Sequence, residues 1–423
     1  MKKFYLLWGF VLLGMELWAQ GLSLKQYRDE VLQYNQQVQQ SKETVLQAWL
    51  TLKEVRTVFF PGLDAAANYS YQPETVELFS GTALKHDNYG VEADLVQKVY
   101  SGSGVRKQYE IAKLQYAVSQ WMAEHTVENM VYVADVAYWT VVAHRDLLNL
   151  SNEYVLLIKE LFAVIHKRFV EGVIGRTDVL MVENRLKEAE IQQSSAILNY
   201  KVSLQSLNVM RGHMPDEPVL LTDSIQQMVV LPKRELLEEV LKQRSDYQVA
   251  VMNVEVAKMQ TLLNRSRFLP QVLLGVKERF GTTMLNVDGI SKWTTTFYAQ
   301  INIPLYHWGA KQKEVERGRT QERSRELERS RLQDEVMQEL SHAWTNVTET
   351  ARRLEIVYSS LEIARNNLNL NTFSYNEGKL PVLDVLSAQV SWLQAYTNVV
   401  SVNYQHKIAL SEYAKVCGNS FEK

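Results

Sequence analysis

The sequence predicts a mostly helical chain with transmembrane β-strands, built as two tandem repeats of one long helical hairpin that carries a β-hairpin. Three observations predict it. Proline and glycine, the strongest helix breakers, are absent from Leu22 to Phe60, Val105 to Glu171, Arg176 to Arg211, Lys233 to Leu269 and Val382 to Cys417. Two interruptions of these segments alternate apolar and polar residues with period two. And a turn comes back: Glu171-Gly172 and Asp178-Val179-Leu180 are answered by Glu377-Gly378 and Asp384-Val385-Leu386 at an offset of 206 residues.

The chain opens with Met1-Lys2-Lys3, an apolar run from Phe4 to Leu13, then Leu17-Trp18-Ala19-Gln20. A basic start, a short apolar core and a small residue near the end predict a secretory signal peptide over 1–20. The run is too short to cross a bilayer as a helix, and no later segment holds about 18 uninterrupted apolar residues. The expected protein is exported and has no spanning helix. The formal net charge is −2, which gives no reason to expect nucleic acid as a partner. The sole cysteine, Cys417, excludes an intrachain disulfide. No thiol lies near residue 20 to carry a lipid.

Repeat 1 is predicted over 21–211 and repeat 2 over 234–423. Each reads as helix, β-hairpin (61–100, then 270–306), helix, tip turn (170–177, then 376–382) and helix. Between them, 212–233 holds Pro215, Pro218 and Pro232 and reads as a linker packed outside the helices. The long segments are rich in Leu, Ala, Glu, Gln, Lys and Arg, good helix formers. Run as one helix, Val105 to Glu171 would be about 100 Å long. No globular core is that deep, so such helices must pack lengthwise, as in a coiled coil or a tube. The segment Lys311 to Arg331 alternates acidic and basic residues, which predicts a solvated helix laced with short-range ion pairs. A helix in a tube wall meets water on two faces, and this composition suits it.

In the first interruption Leu63, Ala65, Ala67, Tyr69 and Tyr71 alternate with Asp64, Ala66, Asn68, Ser70 and Gln72, and Tyr89 to Val96 repeats the pattern. In the second, Val272 to Phe280 and Trp293 to Leu305 do the same. Residues 73–88 and 281–292 read as hairpin loops. Each strand has roughly the ten residues that a membrane strand needs. In lipid every backbone polar group must be bonded, so such strands have to close into a barrel. Four cannot close. Two chains would give a barrel filled by side chains, and three would leave room for a channel. The strands therefore imply an oligomer.

The helix-to-strand junctions Phe59-Phe60-Pro61 and Phe268-Leu269-Pro270 match each other. The strand exit reads Ile303-Pro304-Leu305-Tyr306-His307-Trp308-Gly309, and each tip has a Gly six residues before Asp-Val-Leu. On these features, and above all on their two-copy arrangement, the chain resembles the TolC-like outer-membrane efflux proteins along essentially its whole mature length. The resemblance implies a homotrimer with a twelve-stranded β-barrel in outer-membrane lipid and an α-helical tunnel through the periplasm of a Gram-negative bacterium. It implies a passive exit duct for a tripartite efflux or type I secretion system. The implied partners are a periplasmic adaptor (membrane fusion protein) and an inner-membrane pump.

Gly172 and Gly378 fit the left-handed position that ends a helix, and Pro381 fits the first turn of the next one. Asp178 and Asp384 fall near helix starts, where a carboxylate meets unpaired N–H groups. That structural role is sufficient for both. The resemblance adds a gate. It places Asp384 in an acidic ring at the periplasmic entrance, with Ser387 where relatives can have a second carboxylate. It matches Tyr375, Thr177 and Asp178 to a latch between repeats, but Leu380 stands where the latch would have an arginine. Around Gly172 and Gly378, the residues Val173, Ile174, Lys379 and Leu380 are candidates for adaptor docking; packing of an apolar tip against its neighbour is the alternative.

No phosphate loop, no paired Cys or His spacing for zinc and no hydrolase motif occurs. The eight histidines are scattered. The expectation is no enzyme, no cofactor and no metal. The competing reading is a periplasmic coiled-coil adaptor or structural spacer without a barrel. The sequence names neither the exported substrate nor the class of pump.

Overall fold

In the computed structural model, residues 21–78, 82–226, 231–283 and 286–418 are described; the expected signal peptide lies outside them. The first repeat contains α1 (Leu24–Tyr34), α2 (Gln36–Thr57), β1 (Gly62–Tyr71), β2 (Glu77–Leu78), β3 (Thr82–Ala83), β4 (Asp87–Ser101), α3 (Gly104–Val170) and α4 (Arg176–Met210). The second contains α5 (Leu237–Gln243), α6 (Ser245–Ser266), β5 (Gln271–Thr282), β6 (Ser291–Asn302), α7 (Ala310–Asn376) and α8 (Val382–Val416). The fold is mostly helical with one antiparallel four-stranded sheet, as expected.

The repeats agree in length as well as order. Helices α3 and α7 have 67 residues each, and α4 and α8 have 35 each. The strand-to-helix junctions also match. Gly102 and Ser103 have φ of 57° and 67°, and their counterparts Trp308 and Gly309 have 46° and 80°. Each pair makes two successive left-handed steps, with the glycine in the first place in one copy and the second in the other.

One expectation needs correcting. The breaker-free segments Leu22–Phe60 and Lys233–Leu269 each read as one helix, yet both are broken. Asn35 separates α1 from α2 with ψ of 124°, and its side chain accepts from the amides of Gln37 (2.9 Å) and Val38 (3.2 Å). Arg244, the equivalent residue, separates α5 from α6 with ψ of 117°. Asn is a good helix cap, so it can end one helix and start the next without proline or glycine. The 73–88 loop also holds the short β2–β3 hairpin. Strand β6 ends at Asn302, before Pro304, which has no N–H for the ladder.

The chain forms two compact units. Among the described residues, one gathers 21–41, Ala123–Ser245 and 333–418; the other is Lys42–Met122 with Asp246–Leu332. The first has two apolar cores. In one, Tyr27, Val31, Tyr138, Val141, Val142 and Leu207 pack with Leu221 and Ile225 of the inter-repeat linker. The linker is thus anchored in a core. Arg145 donates to the carbonyls of Leu221 and Asp223, and the Tyr138 hydroxyl donates to the Asp223 carboxylate at 2.7 Å. Nearby Asp135, fully buried, accepts both arms of the Arg28 fork at 2.6 and 2.8 Å, the arrangement that a buried carboxylate needs. The other core joins α3, α4, α7 and α8 through Ile158, Ile165, Val182, Leu368, Val385, Leu386 and Trp392.

The second unit holds the sheet, in the order β1-β4-β5-β6. The register sets Leu63, Leu95, Val276 and Phe297 in one row and Ala67, Val91, Phe280 and Trp293 in another. These rows lie on one face, where Leu63, Leu95, Val91, Phe280, Trp293 and Phe297 are exposed and Val276 is half-buried. The opposite face carries Asp64, Glu92, Asp94, Lys277, Arg279 and Tyr298. There Lys277 bridges Glu92 (3.4 Å) and Asp94 (3.7 Å), and Arg279 reaches Glu92 at 3.5 Å. Tyr298 lies across Gly275, where any Cβ would collide with its ring, and donates to Asp94 at 2.9 Å.

Candidate functional site

The tip turns are built alike. In the first, the amide of Gly172 donates to Phe169 and that of Val173 to Arg168, both at 2.9 Å. In the second, Gly378 donates to Tyr375 and Lys379 to Ser374, again at 2.9 Å. This is a Schellman closure, which requires a left-handed residue at the glycine. The φ values are 74° for Gly172 and 73° for Gly378. A Cβ at either position would meet nothing within 4 Å, so the backbone angle alone demands glycine.

The return helices α4 and α8 start from Gly175 and Pro381. Pro381 is therefore the cap residue itself, one place before the first helical turn where it was expected. Asp178 and Asp384 are equivalent, third in their helices. Neither caps through a side-chain hydrogen bond to the start of its helix; each lends its charge to the positive end of the helix dipole. Both are half-exposed, and Thr177 is exposed.

The contact between the tips differs from the expected latch. Tyr375 is buried, and its hydroxyl has no hydrogen-bond partner among the described residues. It makes no bond to Thr177 or Asp178 within this chain. The joining residue is Arg168, at the end of α3. Its guanidinium stacks on the Tyr375 ring at 4.5 Å. It also donates to the carbonyls of Tyr375 (3.2 Å) and Asn376 (3.0 Å). These carbonyls belong to the last turn of α7, where the dipole is negative, and that of Tyr375 also accepts from the Gly378 amide. One cation thus closes the end of the other repeat's helix. In the sequence, Arg168 has no feature that sets it apart from the other basic residues near the turn. A basic residue in the last turn of a helix was the available signal, but its partner is about 200 residues away and left no trace in local spacing.

Among the docking candidates, Val173 and Lys379 are exposed, whereas Ile174 and Leu380 are half-buried. Ile174 packs on the core shared by the four helices. The exposed glycines Gly172 and Gly378 leave room for backbone approach at both tips.

Among the described residues, no group of three or more acidic, His or Cys side chains could hold a metal ion. No described helix is long and apolar enough to cross a membrane. The sheet is the element with membrane character. Its apolar face has Tyr69, Tyr89 and Trp293 toward one end of the strands and Tyr100 with Val272 toward the other. Leu63, Leu95, Val276 and Phe297 form the row between, and Ile301 shares the row of Tyr100 and Val272, so the aromatic residues gather mainly at the first end of an apolar band.

Residues 27–213 and 236–419 match the family described as outer membrane efflux protein. Outer membrane efflux protein BepC of Brucella suis biovar 1 (strain 1330) is 22% identical over 326 residues, 77% of this chain and 70% of that one. Nodulation protein T of Rhizobium leguminosarum bv. trifolii is 20% identical over 382 residues, 87% of this chain and 79% of that one. Among solved structures, CusC superposes with a TM-score of 0.82 at 14% identity, covering 94% of this chain and 92% of its own. The open state of the Neisseria gonorrhoeae MtrE outer membrane channel gives 0.82 at 17% identity, covering 94% and 89%. At such identities the likeness establishes the fold.

Proposed function

The chain belongs to the outer membrane efflux protein family, and from that premise we propose that three copies form a passive exit duct, handing cargo from a periplasmic adaptor and an inner-membrane pump to the outside. The outer membrane is its place, with the helices extending into the periplasm. One observation carries the reading: the four-stranded sheet has an apolar face, a charged face and two outer edges, on β1 and β6, that pair with no described strand. A lone sheet with open edges does not survive in lipid. Three such sheets make a twelve-stranded barrel with the charged faces lining a channel. Exposed apolar residues at heptad spacing support the same assembly: Ile356, Ile363 and Leu370 on α7, with Ile191 and Leu198 on α4.

In this reading the tip turns form the periplasmic entrance. Asp384 supplies one carboxylate per chain to the entrance, Arg168 holds the two tips together, and exposed Val173 and Lys379 meet the adaptor. The reading assigns the chain no catalytic group; energy comes from the pump.

Fractionation tests it. The protein is expected to stay in the outer membrane after a high-salt wash and to migrate as an oligomer that dissociates on heating. Extraction by salt as a soluble chain would favour the spacer reading. Purification of the crosslinked complex from cells is expected to bring down one adaptor and one pump, and their identities will place the system among efflux or secretion machines.

A further inference from the structure

The internal repeat bears on how the sheet edges of β1 and β6, which pair with no described strand, would meet a second copy of the chain. The two β-hairpins have equivalent pairing registers: the pairing Leu63↔Leu95 in the first becomes Val272↔Ile301 in the second. The first strands are related by an offset of 209 residues and the second strands by 206, the same offsets that relate the Pro61/Pro270 junctions and the glycine tips. Within the chain the hairpins meet at β4–β5, where Asp94 faces Lys277 and Leu95 faces Val276, with a bulge between Lys98 and Tyr100. The same junction, carried on by one step of the repeat, sets β6 of one copy against β1 of the next.

We propose that β6 pairs antiparallel with β1 of a second copy in the register Phe297–Tyr71, Ala299–Tyr69, Ile301–Ala67 and Ile303–Ala65, with Gln300 opposite Asn68 and Tyr298 opposite Ser70. This rests on the reading that copies of the chain close a barrel and adds which residues meet. Three observations fit it. All four odd-numbered pairs join residues of the apolar face, so the band continues across the junction; a one-residue slip would set Phe297 against Ser70 and turn every side chain of one strand to the wrong face. The bulge falls at Leu305, the counterpart of Val99, where β6 has just ended before Pro304 and the chain has no regular ladder to disrupt. The pairs Glu92–Arg279 and Asp94–Lys277, which join the hairpins within a chain, become Tyr298–Ser70 and Gln300–Asn68 between chains. The junction inside the chain is held by charge, and the junction between chains by neutral hydrogen-bonding groups.

Paired cysteines test the register in the full-length protein in isolated outer membranes. Cys417 is buried, and burial pushes its thiol up to about 11, so it does not compete for a mild oxidant. The pairs A67C with I301C and N68C with Q300C lie on opposite faces of the sheet. One of two neighbouring pairs is of the closer, non-hydrogen-bonded kind. At least one is expected to link copies about fivefold more efficiently than A67C with A299C or A67C with I303C, because a disulfide needs its Cβ atoms within about 4.5 Å. Stronger linkage in the shifted pairs would overturn the register while leaving barrel closure in place. Absence of linkage in every pair, in protein that still migrates as a heat-modifiable oligomer, would overturn the meeting of β1 and β6 altogether. Each single-cysteine variant, which is expected to assemble as the parent does, identifies a folding defect, and the two in-register pairs place different residues at risk.

Discussion

Helices α4 and α8 have the same length, follow the same turn and start with the same Asp-Val-Leu, yet their surfaces are opposite. Helix α8 buries Val382, Val385, Leu386, Ala388, Trp392, Ala395, Val399 and Val400, among others. Helix α4 buries only Val182, Ala189, Leu207 and Asn208, and leaves Leu180, Ile191, Leu198, Val202 and Val209 exposed. The outgoing helices show the reverse. Helix α3 supplies Ile158 and Ile165 to the core, whereas the first part of α7 is a run of solvated ion pairs such as Arg325–Glu328 at 2.8 Å. Duplication kept the backbone, and the side chains then divided the work. One helix of each repeat stabilises the chain itself. The other keeps an apolar stripe for a neighbour.

The sharpest way to break this division is to cut one residue on each side of it. Trp392→Ala, at 2% exposure, is expected to cost the chain about 3–5 kcal/mol and to remove most assembled protein. Leu198→Ala, at 62% exposure, is expected to change the stability of the chain by less than about 0.5 kcal/mol and to act only on the oligomer. Heat-dissociation of the oligomer read beside protease resistance of the chain separates the two. If Leu198→Ala unfolds the chain as Trp392→Ala does, α4 is a core helix and the comparison fails.

The tips carry the next effect. Arg168 has no counterpart in repeat 2, where Ser374 stands at its position. Arg168→Ala removes two charge-assisted hydrogen bonds and a stacked cation, together about 2 kcal/mol at a partly exposed site. It is expected to raise resting conductance in bilayers and antibiotic leak in cells. Ser374→Ala is expected to do neither. Tyr375→Phe should change little, because the hydroxyl it removes has no hydrogen-bond partner among the described residues. A leak from Tyr375→Phe as large as that from Arg168→Ala would mean that the hydroxyl finds its partner in another copy.

Where the repeats are alike, substitutions should act alike. Gly172→Ala and Gly378→Ala each place a Cβ at a left-handed φ with no steric neighbour, and each is expected to cost about 1–2 kcal/mol. Hydrogen exchange at the amides of Val173 and Lys379, which close the two Schellman turns, reads this directly. A large difference between them would show that one tip tolerates the angle by rearranging.

Much of this arrangement was legible in the residues. Period-two alternation located the strands, and the recurrence of Glu-Gly and Asp-Val-Leu located the tips, because both are local patterns. The breaks at Asn35 and Arg244 were not legible. A helix that stops and restarts within one residue needs no proline or glycine, and at Asn35 a single side-chain oxygen serves the new helix start. Arg168 was missed for a different reason: its value lies in carbonyls of the other repeat, and only the assembled core brings them together. The latch expected from Tyr375, Thr177 and Asp178 concerns side chains whose partners depend on how the tips meet, which local spacing does not determine.

The smallest effect on stability is the most telling for function. Asp178 and Asp384 hold equivalent places, third in α4 and α8 and half-exposed. Each favours its helix through the dipole by about 0.3–1 kcal/mol, so Asp178→Asn and Asp384→Asn should cost the chain the same. That equality serves as the control. Under the proposed entrance, Asp384 faces the passage and Asp178 does not. Asp384→Asn alone is then expected to lower cation preference and to weaken block by multivalent cations in bilayer recordings. The change should be modest, because Ser387 supplies no second carboxylate to the ring. Equal loss of selectivity in both variants would place both tips at the passage. Unchanged selectivity in Asp384→Asn, with conductance intact, would reduce Asp384 to the role it shares with Asp178, a charge at the start of a helix.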